Sequence, residues 1–228
     1  MKTGIGILII FVGLSGNGQS QGFVNLNFES ARIIPDPNGE FYPYSIAITN
    51  ALPGWSGSAD FQGDITYNAP ALGSCAVVLW ATNGLQISGN YSVLLQGGVG
   101  PSAYISQTAR VPLGTESLLF EAQQLTGWAL LSALVVSLGG QEIQYSAIST
   151  GPNYTLYGGN VPFGLAGQED QLTFTCLGGA AGLANNWTID NIQFSSSSIP
   201  EPSVLGLTTL GSLLFGGWYV IKPLLVKP

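Results

Sequence analysis

Between about residue 22 and residue 195 the chain sets short apolar stretches against turn-forming clusters, and within the stretches apolar and polar positions mostly alternate. Phe23-Val24-Asn25-Leu26-Asn27-Phe28-Glu29 places Val24, Leu26 and Phe28 on one face, the period-two pattern of a half-buried strand. Pro35-Asp36-Pro37-Asn38-Gly39 is a turn cluster. Tyr42 to Thr49 predicts another strand, with Pro43 marking an edge or a bulge. Leu52-Pro53-Gly54-Trp55 is a turn that delivers an aromatic. Further strands are expected at Cys75–Trp80, Tyr91–Gln96, Ala103–Thr108, Glu116–Ala122, Gln141–Ala147, Asp170–Cys176 and Trp187–Phe194, punctuated by glycine pairs at 97-98, 139-140, 158-159 and 178-179. The apolar run Ala129–Leu138 fits a buried strand or a helix; Val135-Val136 and the glycine pair behind it favour the strand. In the last stretch Ile189 and Ile192 fall on opposite faces, so either both faces are covered or a bulge lies near Asp190-Asn191. Short strands at near-regular spacing, glycine turns and no internal repeat predict an all-β, antiparallel β-sandwich.

At the carboxyl end the alternation stops. Val204 to Ile221 is an uncharged apolar run of eighteen residues, about 27 Å as a helix, close to the thickness of a bilayer's hydrocarbon core. Trp218 and Tyr219 sit where aromatics favour the interface, and Lys222 and Lys227 follow, which predicts the body outside and the tail on the cytoplasmic side. Ahead of this run stand a serine spacer, Ser195–Ser198, and then Ile199-Pro200-Glu201-Pro202. Each proline disfavours helix in the residue before it, so Ile199 and Glu201 are pushed towards extended conformations.

That combination of serine spacer, Pro200-Glu201-Pro202, apolar helix and basic end resembles the PEP-CTERM sorting signal of Gram-negative bacteria. The resemblance implies an exosortase in the inner membrane that recognises the tripeptide and cleaves the signal during export. It covers about the last 30 residues. The tail departs from the family pattern in having two lysines, separated by Pro223, where the family usually has an arginine-rich cluster.

At the amino end Lys2 precedes the apolar run Ile5–Leu14, followed by small and polar residues, the layout of a secretory signal peptide. The expected organisation is a signal peptide at 1–21, an exported domain at 22–195 and a sorting segment at 196–228 with a membrane helix at 204–221. The exported domain is long enough for one sizeable core. Arg32 and Arg110 are its only basic residues, against eleven acids. A body so charged repels nucleic acid and anionic lipid. With few charges and many neutral polar residues, its surface suits adhesion or self-association, since sheet edges are weakly guarded by charge. Cys75 and Cys176 are the only cysteines. In an oxidising compartment they form a disulfide worth on the order of 4–5 kcal/mol by loop closure, or stand as two buried thiols.

The two ends of the body also resemble secreted jelly-roll modules of the carbohydrate-binding type. Asn25-Leu26-Asn27-Phe28-Glu29 is similar to their opening strand, Pro53-Gly54-Trp55 to the turn after it, and Trp187-Thr188-Ile189-Asp190-Asn191-Ile192 to their closing strand. The resemblance implies first and last strands side by side with a structural calcium between them, held by Glu29 and Asp190. Calcium takes six to eight oxygens, so carbonyls and amides would have to complete the set.

Catalysis finds little to work with. The chain has no histidine, and the body has no lysine, which removes Ser-His-Asp and Cys-His nucleophiles, His-rich zinc sites and a Ser-Lys pair. The carboxylate pairs Asp60/Asp64 and Glu169/Asp170 fit solvated loops better than a glycosidase site. Trp80, Trp128, Tyr104, Tyr145, Tyr154 and Tyr157 are candidate sugar platforms, while Trp55 and Trp187 fit the core. Three Asn-x-Ser/Thr sequons, at Asn90, Asn153 and Asn186, are coincidental in a bacterial protein. The sequence therefore reads as an exported, non-catalytic surface or extracellular-matrix protein, anchored in the inner membrane before sorting. Its partner is an exosortase, its alternative identity a carbohydrate-binding module for an extracellular polysaccharide.

Overall fold

The computed structural model describes residues 22–58, 64–70, 76–81, 86–99, 101–125, 134–179 and 185–200. The expected signal peptide, the membrane run 204–221, Glu201, Pro202, Cys75, Asp60 and Trp128 lie outside the described residues. Among the described residues no helix is long and apolar enough to cross a membrane.

Among the described residues thirteen strands and one helical turn follow in order: β1 Ser45–Ala47, α1 Ile48–Ala51, β2 Ser56–Ser58, β3 Asp64–Tyr67, β4 Ala76–Trp80, β5 Ser92–Gly97, β6 Ala103–Arg110, β7 Ser117–Gln124, β8 Leu134–Leu138, β9 Gln141–Glu142, β10 Tyr145–Thr150, β11 Thr155–Asn160, β12 Glu169–Cys176 and β13 Asn185–Ser195. They build a large sheet, β1-β3-β4-β5-β13-β7-β11-β10, over a smaller one, β2-β6-β12-β8-β9. All strand pairs are antiparallel except β3 with β4. This is the all-β sandwich the alternation calls for.

The core lies between the sheets. Val77, Leu79, Val93, Leu95, Leu118, Phe120 and Ile189 point in from the large sheet, and Ile105, Val136, Leu138, Leu172 and Phe174 meet them from the small one. Alternation along a strand sends the neighbours of these residues to the opposite face. On β4 and β5 that outer face is also buried, where Ala76, Val78, Trp80 and Leu94 form a second cluster with Leu125. Burial on both faces is why β4 reads as an unbroken apolar run rather than an alternating one.

Seven predicted strands coincide with β4, β5, β6, β7, β12, β13 and, in part, β9–β10. Val135-Val136 fall in β8. The irregularity in the last strand is a bulge: the register shifts between Asp190 and Gln193, and Asn191 takes φ +50°. The amino-terminal stretch corrects the reading. Residues 23–29 form no strand, because Asn25 and Phe28 adopt φ +52° and +57° and turn the chain. Asn25 supports its turn by accepting the Ser30 N–H on Oδ1, and Phe28 turns inward to full burial. The segment still lies against β13, through Ile192 N–H to Leu26 O at 3.0 Å and the ring of Phe23 on Phe194. Gln107 substitutes for a ladder partner, accepting Val24 N–H and donating to Val24 O. Tyr42–Thr49 is a three-residue strand running into one helical turn.

The Gly158-Gly159 pair does not punctuate; it lies inside β11. A Cβ on Gly159 would run into the Gln144 carbonyl oxygen, so the residue is small because the backbone just ahead of β10 presses against it. The Cys176 thiol is free and buried rather than disulfide-bonded, and its Sγ donates to Asn185 O at 3.3 Å. Burial pushes that thiol up to about 11, so it packs as a small hydrophobe and is a poor nucleophile at neutral pH.

Candidate functional site

Strand direction divides the sandwich into two ends. At one lie Ser117, Asn160 and Ser195, aligned across β7, β11 and β13, and the chain leaves towards Pro200. At the other lie Gln124, the turn 151–154 and the start of β13 at Asn185.

Glu29 and Asp190 come to the same place, the loop 86–91 between β4 and β5. Glu29 accepts the N–H groups of Asn90 and Tyr91 on Oε1, at 2.7 and 3.0 Å, and the Asn90 amide on Oε2 at 2.8 Å. Asp190, 1% exposed, accepts the Ser92 hydroxyl at 2.6 Å, the Asn191 N–H at 2.7 Å and a backbone N–H from Ser88. Burial raises the Asp190 carboxyl to about 7; these hydrogen bonds oppose the rise and the nearby Glu121 charge adds to it. The two acids implied by resemblance are thus brought to one loop, but their oxygens face N–H and O–H donors. A calcium ion would need carbonyl and carboxylate oxygens there instead, and among the described residues no group of three His, Cys, Asp or Glu gathers to hold a metal. The residues present fit a loop clamp and do not fit the cation.

Along the outer face of the large sheet, Asp190 is in register with Glu121 and Thr188 with Gln123. This face holds an unusual set of polar atoms. Thr66 Oγ1, Trp80 Nε1, Glu121 Oε2, Asn186 Oδ1 and Thr188 Oγ1 are buried without a hydrogen-bond partner. Leaving such a group unmatched costs about 1–3 kcal/mol, and several on one face of one sheet need a reason. At the Gln124 end of the sandwich, beside the end of β7, the surface opens into a cleft of about 320 Å³. Gln123, Gln124, Thr150, Asn153, Tyr154 and Tyr157 line it. Asn153 is fixed by its amide to Gln86 O at 3.1 Å, which ties the cleft's rim to the clamped loop. Tyr154 lies over Gly151, where a Cβ would meet its ring at 2.6 Å. The lining is neutral: amides, hydroxyls and two phenols. Amides and hydroxyls suit the paired donors and acceptors of sugar hydroxyls, and an aromatic ring suits an apolar pyranose face.

The other candidate residues separate from this cleft. Trp80 is no platform; it is buried in the second cluster. Tyr145 packs edge-on to Phe120, and its hydroxyl donates to Leu134 O. Burial pushes that phenol up to about 12. Tyr104 is exposed on the small sheet, not on the large sheet that carries the cleft. Trp55 and Trp187 are core, as expected. Asp64, on β3, is raised by burial and then by Asp36, while Glu169 and Asp170 begin β12 opposite Arg110 and Ala109. Sequence reading missed Gln123, Glu121, Asn186 and Thr188. Their signal was present: polar residues at alternate positions in strands whose other face is core. It missed also Tyr42 and Tyr44, both more than half exposed beside the edge strand β1.

No protein-family model matches the chain, and no curated protein matches it. Solved structures do. The module TmCBM61, in complex with beta-1,4-galactotriose, is 16% identical, with 76% of this chain and 96% of that one covered and a TM-score of 0.44. An apo form cyclase from Fischerella sp. is 12% identical, covering 79% and 98%, at 0.42. A family 11 carbohydrate-binding module from Clostridium thermocellum, in complex with a beta-1,3-1,4-mixed-linked tetrasaccharide, is 8% identical, covering 69% and 97%, at 0.35. At these scores the likeness carries no argument, and the case for function rests on the cleft itself.

Proposed function

We propose that this is an exported, non-catalytic surface or matrix protein whose β-sandwich binds a neutral saccharide in the cleft between β7 and the β10–β11 turn. The observation that carries the reading is the neutral lining of that cleft, with its amides, hydroxyls and two tyrosines. The absence of histidine and of lysine from the body, together with the clamping duty of Asp190, supports binding rather than turnover. A glycan array followed by calorimetric titration tests it. Binding is expected to weaken about tenfold or more on Tyr154→Ala and on Gln123→Ala, the loss of one ring contact or one hydrogen-bonding amide. Loss on Tyr42→Ala instead, with Tyr154→Ala silent, would move the site to the exposed tyrosines at β1; no hit on the array rejects binding.

The sorting half of the proposal rests on Pro200-Glu201-Pro202 and the apolar run behind it. In a host with an active exosortase, alanines at the three positions are expected to leave the protein in the inner membrane. Unchanged release rejects recognition of the tripeptide.

A further inference from the structure

The end of the sandwich from which the tail departs carries two apolar tips built by the same device. Pro112-Leu113-Gly114-Thr115 and Pro162-Phe163-Gly164-Leu165 are each closed by a hydrogen bond from the fourth residue's N–H to the proline carbonyl, at 3.3 and 3.4 Å. Gly114 and Gly164 take φ +74° and +90°, the left-handed value a type II turn requires at its third position. Each turn lifts its second residue clear of the body. Leu113 is 85% exposed and Phe163 is fully exposed. The two loops are bound together, Val111 N–H to Gln168 O and Gly167 N–H to Val111 O.

The tail is fixed beside them. Glu116 N–H bonds Ser195 O, Ser117 Oγ donates to Ser197 O, and the Asn160 amide both donates to Ile199 O at 3.0 Å and accepts Ile199 N–H at 2.7 Å. Asn160 is followed at once by Val161, whose N–H bonds Glu116 O, and by the Pro162 turn. The chain is therefore held as far as Ile199. Only four steps separate Pro200 from Val204, a reach of about 14 Å at full extension.

We propose that Leu113 and Phe163 insert into the surface of the bilayer that holds residues 204–221, so the tail end of the sandwich rests on the membrane and the cleft faces away from it. This deepens the sorting reading and rests on its membrane span. A short leash brings this end to the lipid whatever else happens, and rigid apolar tips there gain by leaving water. Exposed Glu116 and Glu169 flank the tips, with Arg110 opposite Glu169 and bonded to Gly167 O. The local charge is mixed and carries no basic patch, so the attraction is apolar rather than charge-driven, and zwitterionic lipid suffices.

The full chain, with Phe163→Cys carrying an environment-sensitive fluorophore, is reconstituted into phosphatidylcholine vesicles with brominated acyl chains. Phe163 has no packing to lose, so the variant folds. A label on Pro152→Cys, in the turn at the opposite end, is the control. Blue-shifted emission and bromine quenching at 163, with neither at 152, is the expected result. A membrane-bound protein whose 163 label behaves as in water overturns the insertion and leaves the span standing. Energy transfer between 163 labels without quenching assigns the tips to a second copy and overturns it as well. Protein that never associates with vesicles sinks the span itself, and the insertion with it.

Discussion

The two ends of this sandwich are made from the same strands and differ in almost everything else. At the tail end, tight Pro-x-Gly turns hold apolar side chains out in water and the departing chain is stitched down residue by residue. At the cleft end, the short turn 151–154 and the end of β7 carry amides and a phenol, and one rim is tied to a loop clamped by two buried or half-buried acids. A sheet delivers each of its strands to both ends, so the sandwich acts as a spacer. It separates the exposed Leu113 and Phe163 tips from the neutral cleft lined by Gln123, Asn153 and Tyr154. Among the described residues the two most exposed apolar side chains, Leu113 and Phe163, stand at one end, and the amide-lined cleft at the other.

The comparison breaks most violently if the spacer is softened. Phe120 is fully buried and touches Tyr145, Tyr157 and Phe174 at ring-centroid distances of 5.1, 5.6 and 5.3 Å. Phe120→Ala should cost about 3–5 kcal/mol of unfolding free energy in denaturant melts. Because Tyr157 also lines the cleft, saccharide binding should weaken in the same variant while vesicle attachment persists. Equal loss at both ends would show that the ends are not independent.

Next in size is a pH effect confined to the clamped loop. The Asp190 carboxyl sits at about 7 in the folded protein against 3.8 as its ordinary value. Between those values the folded state keeps a proton that the unfolded state has released. Its stabilising contribution is therefore complete below about pH 4 and is lost as pH rises through 7, on the order of 4 kcal/mol in all. Asp190→Asn should flatten that slope in melts taken from pH 4 to 8. A slope unchanged in the variant would assign it to other groups. The same melts with and without a calcium chelator should coincide, since the Glu29 and Asp190 oxygens are already engaged by donors. A chelator-induced drop of several degrees would restore the calcium reading.

How much of this could be read from sequence follows the same division. The strands are legible where one face is core and the other wet, as in β6 and β12, because alternation records that contrast directly. β4 was legible by its apolar run. β11 was not, since Thr155-Leu156-Tyr157-Gly158-Gly159-Asn160 spends two positions on glycine to admit its neighbours, and glycine in sequence suggests a turn. Residues 23–29 alternate like a strand but are held by a side chain, Gln107, and two left-handed residues, neither of which alternation reports. Within the site, Glu29 and Asp190 could be nominated as partners, and they do converge. Their ligand could not, because N–H groups from residues 88–91 leave no mark in composition. The cleft was the least legible part: Gln123 and Asn153 meet only through the register of β7, β11 and β13, a fact of tertiary pairing.

The smallest expected effect belongs to the tail end. Asn160 makes two hydrogen bonds to Ile199 and lies at the last position of β11, so Asn160→Ala should lower global stability by only about 1–2 kcal/mol. Locally the change should be larger in proportion. Ser195, Ser197 and Ile199 are each held through backbone atoms, and an endopeptidase needs those same atoms free to bind a substrate as an extended strand. Wild-type protein in detergent should resist a broad-specificity endopeptidase between 195 and 199, and Asn160→Ala should be cut there about tenfold faster or more. Ile199→Ser, which cannot disturb the sheets, should do the same by removing the side chain that rests on Gly158. If wild type and both variants are cut at equal rates, the stitching does not hold the chain, the leash to the membrane is longer than four residues, and the contrast between a pinned end and an open end disappears.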